Sequence, residues 1–249
     1  MNGYIFLVLL FFAGFVASFI NVMAGGGSVL TLGLMMLFGI DPATANGTNR
    51  IGILVGGLSG TLAFKAEKVS DFKKSMSLAA FAIPGAIFGA YYSVQINEVW
   101  FQRIFAVIII FILFTLIKSK KKESPTKEVS KLKKVLIYPV MFLIGFYGGF
   151  IQVGIGFILI TALRNLLEAG LVKVNMHKLF IILTYSVPVI VVFGITGNIN
   201  WLYAICLAAG NATGAWVSAK ISVKKGEPIV KIVLAATIII MAAKFMFSL

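Results

Sequence analysis

Long apolar runs alternate with short polar breaks along this chain, and the run lengths set the first expectation. About 20 helical residues cross the ~30 Å hydrocarbon core of a bilayer. Runs of that order are Gly3–Met23, Ala45–Phe64, Ser75–Val94, Val99–Ile117, Val135–Val153, Val174–Ile195, Trp201–Ala219 and Ile229–Phe247. Two shorter apolar pieces, Ser28–Phe38 and Gly156–Leu167, follow the runs at Gly3 and Val135. A dozen residues rising 1.5 Å each reach only about 18 Å, so each piece is read as the second arm of a helical hairpin. Spanning and re-entrant hairpins remain equal alternatives. The polar stretch 118–134 divides the chain into a first transmembrane repeat (1–117), a basic linker (118–134) and a second transmembrane repeat (135–249).

The two halves echo each other. Gly14–Val22 aligns with Gly145–Val153, which pairs Asn21 with Gln152. The triple glycine Gly25–Gly27 is answered by Gly154-Ile155-Gly156, and Asn46 falls opposite Asn175. Later, Gly85–Ala90 echoes Gly210–Ala215. Three blocks in one order indicate a duplicated unit. Lysines then orient it, because Lys and Arg collect in cytoplasmic loops. The linker carries Lys118, Lys120, Lys121, Lys122, Lys127, Lys131, Lys133 and Lys134 against Glu123 and Glu128. Lys65, Lys68, Lys73 and Lys74 mark a second inside loop, and Lys220, Lys224 and Lys225 a third. Lys173, His177 and Lys178 also agree with an inside position, while the turns 95–98 and 196–200 carry no positive charge and belong outside. Counting crossings places both termini outside and gives each half an odd number of elements. The expected fold is an all-α polytopic membrane protein of two inverted repeats, each beginning with a glycine-broken helical hairpin.

Composition sharpens this. Of 249 residues, 60% are hydrophobic and 12% charged, with a mean hydropathy of +1.02; soluble domains carry about 25% charge. The net charge of +14 is the charge of cytoplasmic loops, so nucleic acid is not an expected partner. No Lys or Arg precedes the first apolar run, which is therefore read as retained rather than as a cleaved signal. Cys206 stands alone, and one histidine makes no zinc site. The expected location is the cell (inner) membrane, multi-pass, with the linker cytoplasmic.

The candidate chemistry lies where polar residues and glycines interrupt hydrocarbon. Backbone that leaves the helix at membrane depth must be buried in protein or line a cavity. Gly25, Gly26 and Gly27 supply such a break between Asn21 and Ser28, and a helix starting at Ser28 points free N–H groups and a positive dipole end at whatever lies there. A tight turn or close small-residue packing is the competing reading. Asn46, Thr48, Asn49 and Arg50 open the next helix. Here the alternative is a cap made by Thr44 or Asn46, with Arg50 reaching the headgroups. In the second half Gln152, Gly154, Gly156, Asn175 and His177 take the corresponding places, with Lys178 beside them; a histidine there is also compatible with simple solvation. Thr184, Tyr185 and Ser186 precede Pro188, which is expected to kink its helix, with or without a role in transport. All eight acidic residues fall in loops or at helix ends, which disfavours a cation substrate or a carboxylate proton relay. No nucleotide loop, catalytic triad or metal-ligand spacing is present, so neither an enzyme nor a cofactor is expected.

The stretch 21–31, then Gly39–Pro42 and Ala45–Arg50, resembles the first repeat of the TauE/SafE sulfite-exporter family, also called the toluene sulfonate uptake permease family. Gly148–Phe157 and the block 210–215 resemble its second repeat. The resemblance covers nearly the whole chain and implies a bacterial or archaeal inner-membrane permease for sulfite, sulfonates, sulfoacetate or related small organic anions. Phe157 departs from a glycine frequent in the family, which implies a second hairpin less open than the first. The expected function is secondary transport of a small anion by alternating access, with the lipid bilayer and a small anionic substrate as partners and a homodimer as a further option. A small-anion or small-solute channel and a non-transporting membrane scaffold are the alternatives.

Overall fold

A computed structural model of the protein describes residues 3–107, 131–167 and 169–247, and among them helices and turns occur but no strand. The helices are α1 (Gly3–Met23), α2 (Ser28–Leu37), α3 (Pro42–Ala66), α4 (Phe72–Gln95), α5 (98–107), α6 (Lys131–Phe150), α7 (Ile155–Leu167), α8 (Leu171–Ile195) and α9 (Trp201–Phe247). Most of the expected linker and the second half of the run at Val99 lie outside the described residues. Tyr4–Met23, Phe72–Gln95, Leu171–Ile195 and Trp201–Gly226 are long and apolar enough to cross a membrane, and α2, Val135–Phe150 and α7 are shorter apolar helices. The described residues thus form helices joined by turns, four of these helices long and apolar enough to cross a membrane.

Three boundaries differ from expectation for a local reason. α3 begins at Pro42 rather than Ala45, because Asp41 caps it: its carboxylate accepts the Thr44 N–H at 2.8 Å, and Pro42 occupies the first turn. Thr44 and Asn46 therefore do not cap. α3 has 25 residues yet is not among the helices apolar enough to span, since its first half holds Asn46, Thr48, Asn49 and Arg50, all buried against protein. α6 stops at Phe150, where the chain turns through Gln152 (φ 59°) and Gly154 (φ 69°). The last two runs join into one long α9 that breaks at Gly226 (φ 66°, ψ −160°), two residues before Pro228. α8 is continuous through Pro188.

α1 packs along α9, and α6 along α4; α3 lies against both α9 and α8, and α8 also against α4. Lipid gives helices little hydrophobic reason to associate, so close van der Waals approach between small residues has to supply the attraction. The glycine blocks do this. A Cβ on Gly85 or Gly89 of α4 would overlap the carbonyls of Phe142 and Phe146 on α6, while Gly145 and Gly149 of α6 sit equally close to the carbonyls of Ala82 and Ala86. Gly210 and Gly214 of α9 stand in the same relation to Phe11 and Phe15 of α1. Outward faces carry exposed Phe12, Val16, Phe88 and Ile205, the apolar surface that lipid contacts.

These contacts separate two glycine substitutions. Gly89→Leu should force α4 from α6 and lower the melting temperature in detergent by the equivalent of at least about 1–3 kcal/mol, the usual cost of overpacking. Gly33→Ala, within α2 and with nothing within 4 Å of a new Cβ, should leave stability unchanged or raise it by about 0.5–1 kcal/mol.

Candidate functional site at two helix breaks

The first break follows α1. The amides of Ala24 and Gly25 return to the Ile20 carbonyl at 2.7 and 3.1 Å, Gly25 turns the chain with φ 98°, and the Asn21 side chain accepts the Gly27 N–H at 2.8 Å before α2 starts. The second break follows α6. Ile151 and Gln152 return their amides to Tyr147 at 3.1 and 3.3 Å, and the Tyr147 hydroxyl donates to the Val153 carbonyl before α7 starts.

The two breaks meet backbone to backbone. A Cβ on Gly25 would overlap the main chain of Gly156, and one on Gly156 would overlap Gly25. Gly25 is thus required twice, for its positive φ and for this approach. Gly26 is covered by the Phe157 ring and Gly27 sits against the Ala17 carbonyl. Phe157 therefore packs the second turn onto the first, and it is buried with Ala24, Leu32, Phe101, Ile151 and Val153.

Helices that end inside the protein leave their last carbonyls without intrahelical donors. α8 satisfies those of α1. Lys178 Nζ donates to the carbonyls of Asn21 and Val22 at 2.7 and 2.8 Å and to Asn175 Oδ1 at 2.9 Å, while Asn175 Nδ2 reaches the Met23 carbonyl at 3.4 Å. α3 does the same for α6. Arg50 Nη1 donates to the Gly148 carbonyl and to Gln152 Oε1, Nη2 donates to the Gly149 carbonyl at 2.7 Å, and Asn46 Nδ2 reaches the Phe150 carbonyl and Ser93 Oγ, both at 3.0 Å. Phe193 lies over the guanidinium with its centroid 5.5 Å away. A cation at a helix C-terminus also complements the dipole.

Both cations are fully buried, at 0% exposure. Neither is paired with a carboxylate among the described residues, where the ion pair present is the exposed Lys173–Asp71 contact at 3.7 Å. Arg50 therefore does not reach headgroups. Lys178, which the sequence sets both among the inside charges and beside Asn175 in the second-half counterpart of Asn46–Arg50, is part of this arrangement.

Between the breaks lies a cavity of about 30 Å³ lined by Ser18, Asn21, Ser28, Gln152, Gly156 and Asn211, with Gly56, Gly57 and apolar residues completing the wall. Of the residues expected to bind, Asn21, Ser28, Gln152 and Gly156 line it. Gly25, Gly26, Gly27 and Gly154 form the turns, and Asn46, Arg50 and Asn175 stand behind them on the helix ends. Thr48 accepts the Asn200 N–H at 2.9 Å and Asn49 accepts from Thr31 at 2.8 Å; both tie α3 to its neighbours. His177 is not brought to the cavity: it is buried against the start of α4, with Nδ1 2.8 Å from Ser75 Oγ. Ser18 and Asn211 were not singled out from sequence, and both were hidden inside blocks that read as helix packing.

Helices long and apolar enough to cross a membrane, set around two interior breaks with buried cations and a small cavity of mixed polar and apolar lining between them, are the build of a multi-pass membrane protein. The chain matches the family "Sulfite exporter TauE/SafE" over residues 10–245 and belongs to it. It is 29% identical over 245 residues to a "Probable membrane transporter protein" of Haemophilus influenzae, covering 97% of this chain and 95% of that one. It is 28% identical to "Probable membrane transporter protein ORF9" of Sinorhizobium sp (96% and 92%), and 27% identical to "Probable membrane transporter protein YunE" of Bacillus subtilis (100% and 98%). No solved structure matches it. The protein is a membrane transporter by family.

The capping role of Lys178 is testable by stability. Lys178→Met strips donors from two buried carbonyls at about 1–3 kcal/mol each, and should markedly lower the melting temperature in detergent. Lys65→Met, at an exposed position, should stay within about 0.5 kcal/mol of wild type.

Proposed function

We propose that the protein is a secondary transporter of a small oxyanion, sulfite, a sulfonate or a related organic acid, working by alternating access between two inverted repeats. The observation that carries this reading is the pair of buried cations, each one residue behind the cavity wall. Arg50 is held through Gln152 and Lys178 through the main chain of Asn21, and no carboxylate partners either among the described residues. Uncompensated buried charge is costly, and an anion at the cavity would relieve it. The start of α2 at Ser28 adds a positive dipole end at the same wall.

The inverted-repeat reading is supported by packing relations that come in pairs. α1 on α9 is matched by α6 on α4, α3 on α9 by α8 on α4, and Asn46/Arg50 on α6 by Asn175/Lys178 on α1. In this reading the basic linker lies inside and both termini outside. The cavity of about 30 Å³ has room for about one water, so this is a closed conformation and passage requires the two turns to part.

Proteoliposomes loaded with labelled sulfite or methanesulfonate test the proposal. Wild type should show saturable flux that is stimulated by substrate on the opposite side. Ser28→Ala, whose hydroxyl makes only a 3.5 Å contact to the Gln152 carbonyl, should cut flux about tenfold, one contact of ~1.4 kcal/mol, with little change in stability. Asn21→Ala should cut flux at least as much. Non-saturating flux without exchange would instead mean a channel, and equal flux in all three proteins would remove the site assignment.

A further inference from the structure

Arg50 has five N–H donors. Nη1 spends two, on the Gly148 carbonyl and Gln152 Oε1, and Nη2 spends one on the Gly149 carbonyl. Nε is buried and has no hydrogen-bond partner. Nη2 is the terminal nitrogen on the Nε side of the guanidinium, and its used hydrogen serves the carbonyl next to the one that Nη1 serves. One donor on Nε and one on Nη2, the two nitrogens of one guanidinium edge, are thus left unspent. Two parallel donors on that edge are the fork that binds carboxylates and sulfur or phosphorus oxyanions bidentately.

A second unpaired group adjoins the same stretch of α6. The Tyr185 hydroxyl, on α8, is buried and also without a partner. It adjoins Gly148, where a Cβ would lie 2.7 Å from Tyr185 Oη, and Gly148 is the residue whose carbonyl Arg50 holds. A buried hydroxyl without an acceptor is rare and costly. Phe193 covers the guanidinium face, leaving the edge as the site of approach. Gln152 lines the cavity and keeps its amide oxygen on Nη1, the terminal nitrogen away from that edge. Gln152 is also one of two described non-glycine residues with positive φ, at 59°, a conformation that non-glycine side chains seldom adopt.

We propose that the Nε/Nη2 edge of Arg50 and the Tyr185 hydroxyl form an oxyanion seat behind Gln152, whose side-chain oxygen occupies the neighbouring Nη1 donor in the closed state. The inference rests on the transport reading above and names the ligand chemistry: two coplanar oxygens on one anion, as in a sulfonate, sulfite or carboxylate, are preferred over a spherical halide. Substrate enters the seat as the Gln152 side chain swings from Nη1.

The test uses full-length protein in detergent, titrated calorimetrically with methanesulfonate and with chloride. Wild type should bind methanesulfonate more tightly than chloride. Tyr185→Phe removes only an unpaired hydroxyl, so it should keep its melting temperature without anion and weaken methanesulfonate binding roughly tenfold, as expected for one hydrogen bond to a charged group. Arg50→Lys keeps the charge without the fork and should lose the preference over chloride. Thr61→Val, which deletes another unpartnered buried hydroxyl on α3, should bind as wild type does. Equal methanesulfonate affinity in wild type and Tyr185→Phe overturns the seat even if Arg50→Lys does not fold. Equal affinity of wild type for the two anions overturns it too, and in both cases oxyanion flux in proteoliposomes would leave the transport reading standing. Absence of both binding and flux in wild type would end both.

Discussion

A helix that stops inside a membrane protein must find donors for its last carbonyls, and this constraint organises the molecule. α1 and α6 both end against buried protein, and neither end is left to solvent. Each is held by a cation and an asparagine from a helix of the opposite half: Lys178 and Asn175 on α1, Arg50 and Asn46 on α6. Neutral donors alone would satisfy the hydrogen bonds, but cations also match the negative end of the helix dipole. They bring with them a positive interior that lacks described carboxylates, which is the basis of the anion substrate proposed above.

The glycines do a second, separate job. Gly25 and Gly156 let two turns touch main chain to main chain, while Gly85, Gly89, Gly145, Gly149, Gly210 and Gly214 bring whole helices to the same closeness. The first set places polar groups of the two turns around one small cavity. The second makes the surrounding pairs, α1 with α9 and α4 with α6, rigid enough to hold the turns in register. Both expected readings of glycine, as break and as packing surface, are therefore present, at different positions.

Much of this was legible in the sequence because hydrocarbon punishes ambiguity. The bounds of α1 and the starts of α2 and α9 could be read from apolar runs, since a polar residue in such a run has few places to go. Asn21, Ser28, Gln152 and Gly156 could be read because breaks in a membrane helix must be buried or line a cavity. The start of α3 was misplaced because Asp41-Pro42 acts through a local cap that apolar periodicity does not register. Lys178 drew two readings, as an inside charge and as the neighbour of Asn175, because the same residue type marks cytoplasmic loops and caps buried helix ends, and only tertiary contact separates the two. Ser18 and Asn211 were missed because a single polar residue within a small-residue block reads as packing, and its facing partner lies far away in the chain.

The cross-holding of helix ends also governs how the chain can assemble. The donor for the end of α1 is Lys178, more than 150 residues downstream of the carbonyls it serves, and the end of α6 relies on Arg50, almost 100 residues upstream. α1 therefore enters the bilayer during synthesis with its terminus unsatisfied and waits through most of translation for its partner. Non-local contacts of this kind close late and slowly. Each half's interrupted helix is completed by side chains of the other, so the hydrogen bonds at the end of α1 form only once α8 has been made.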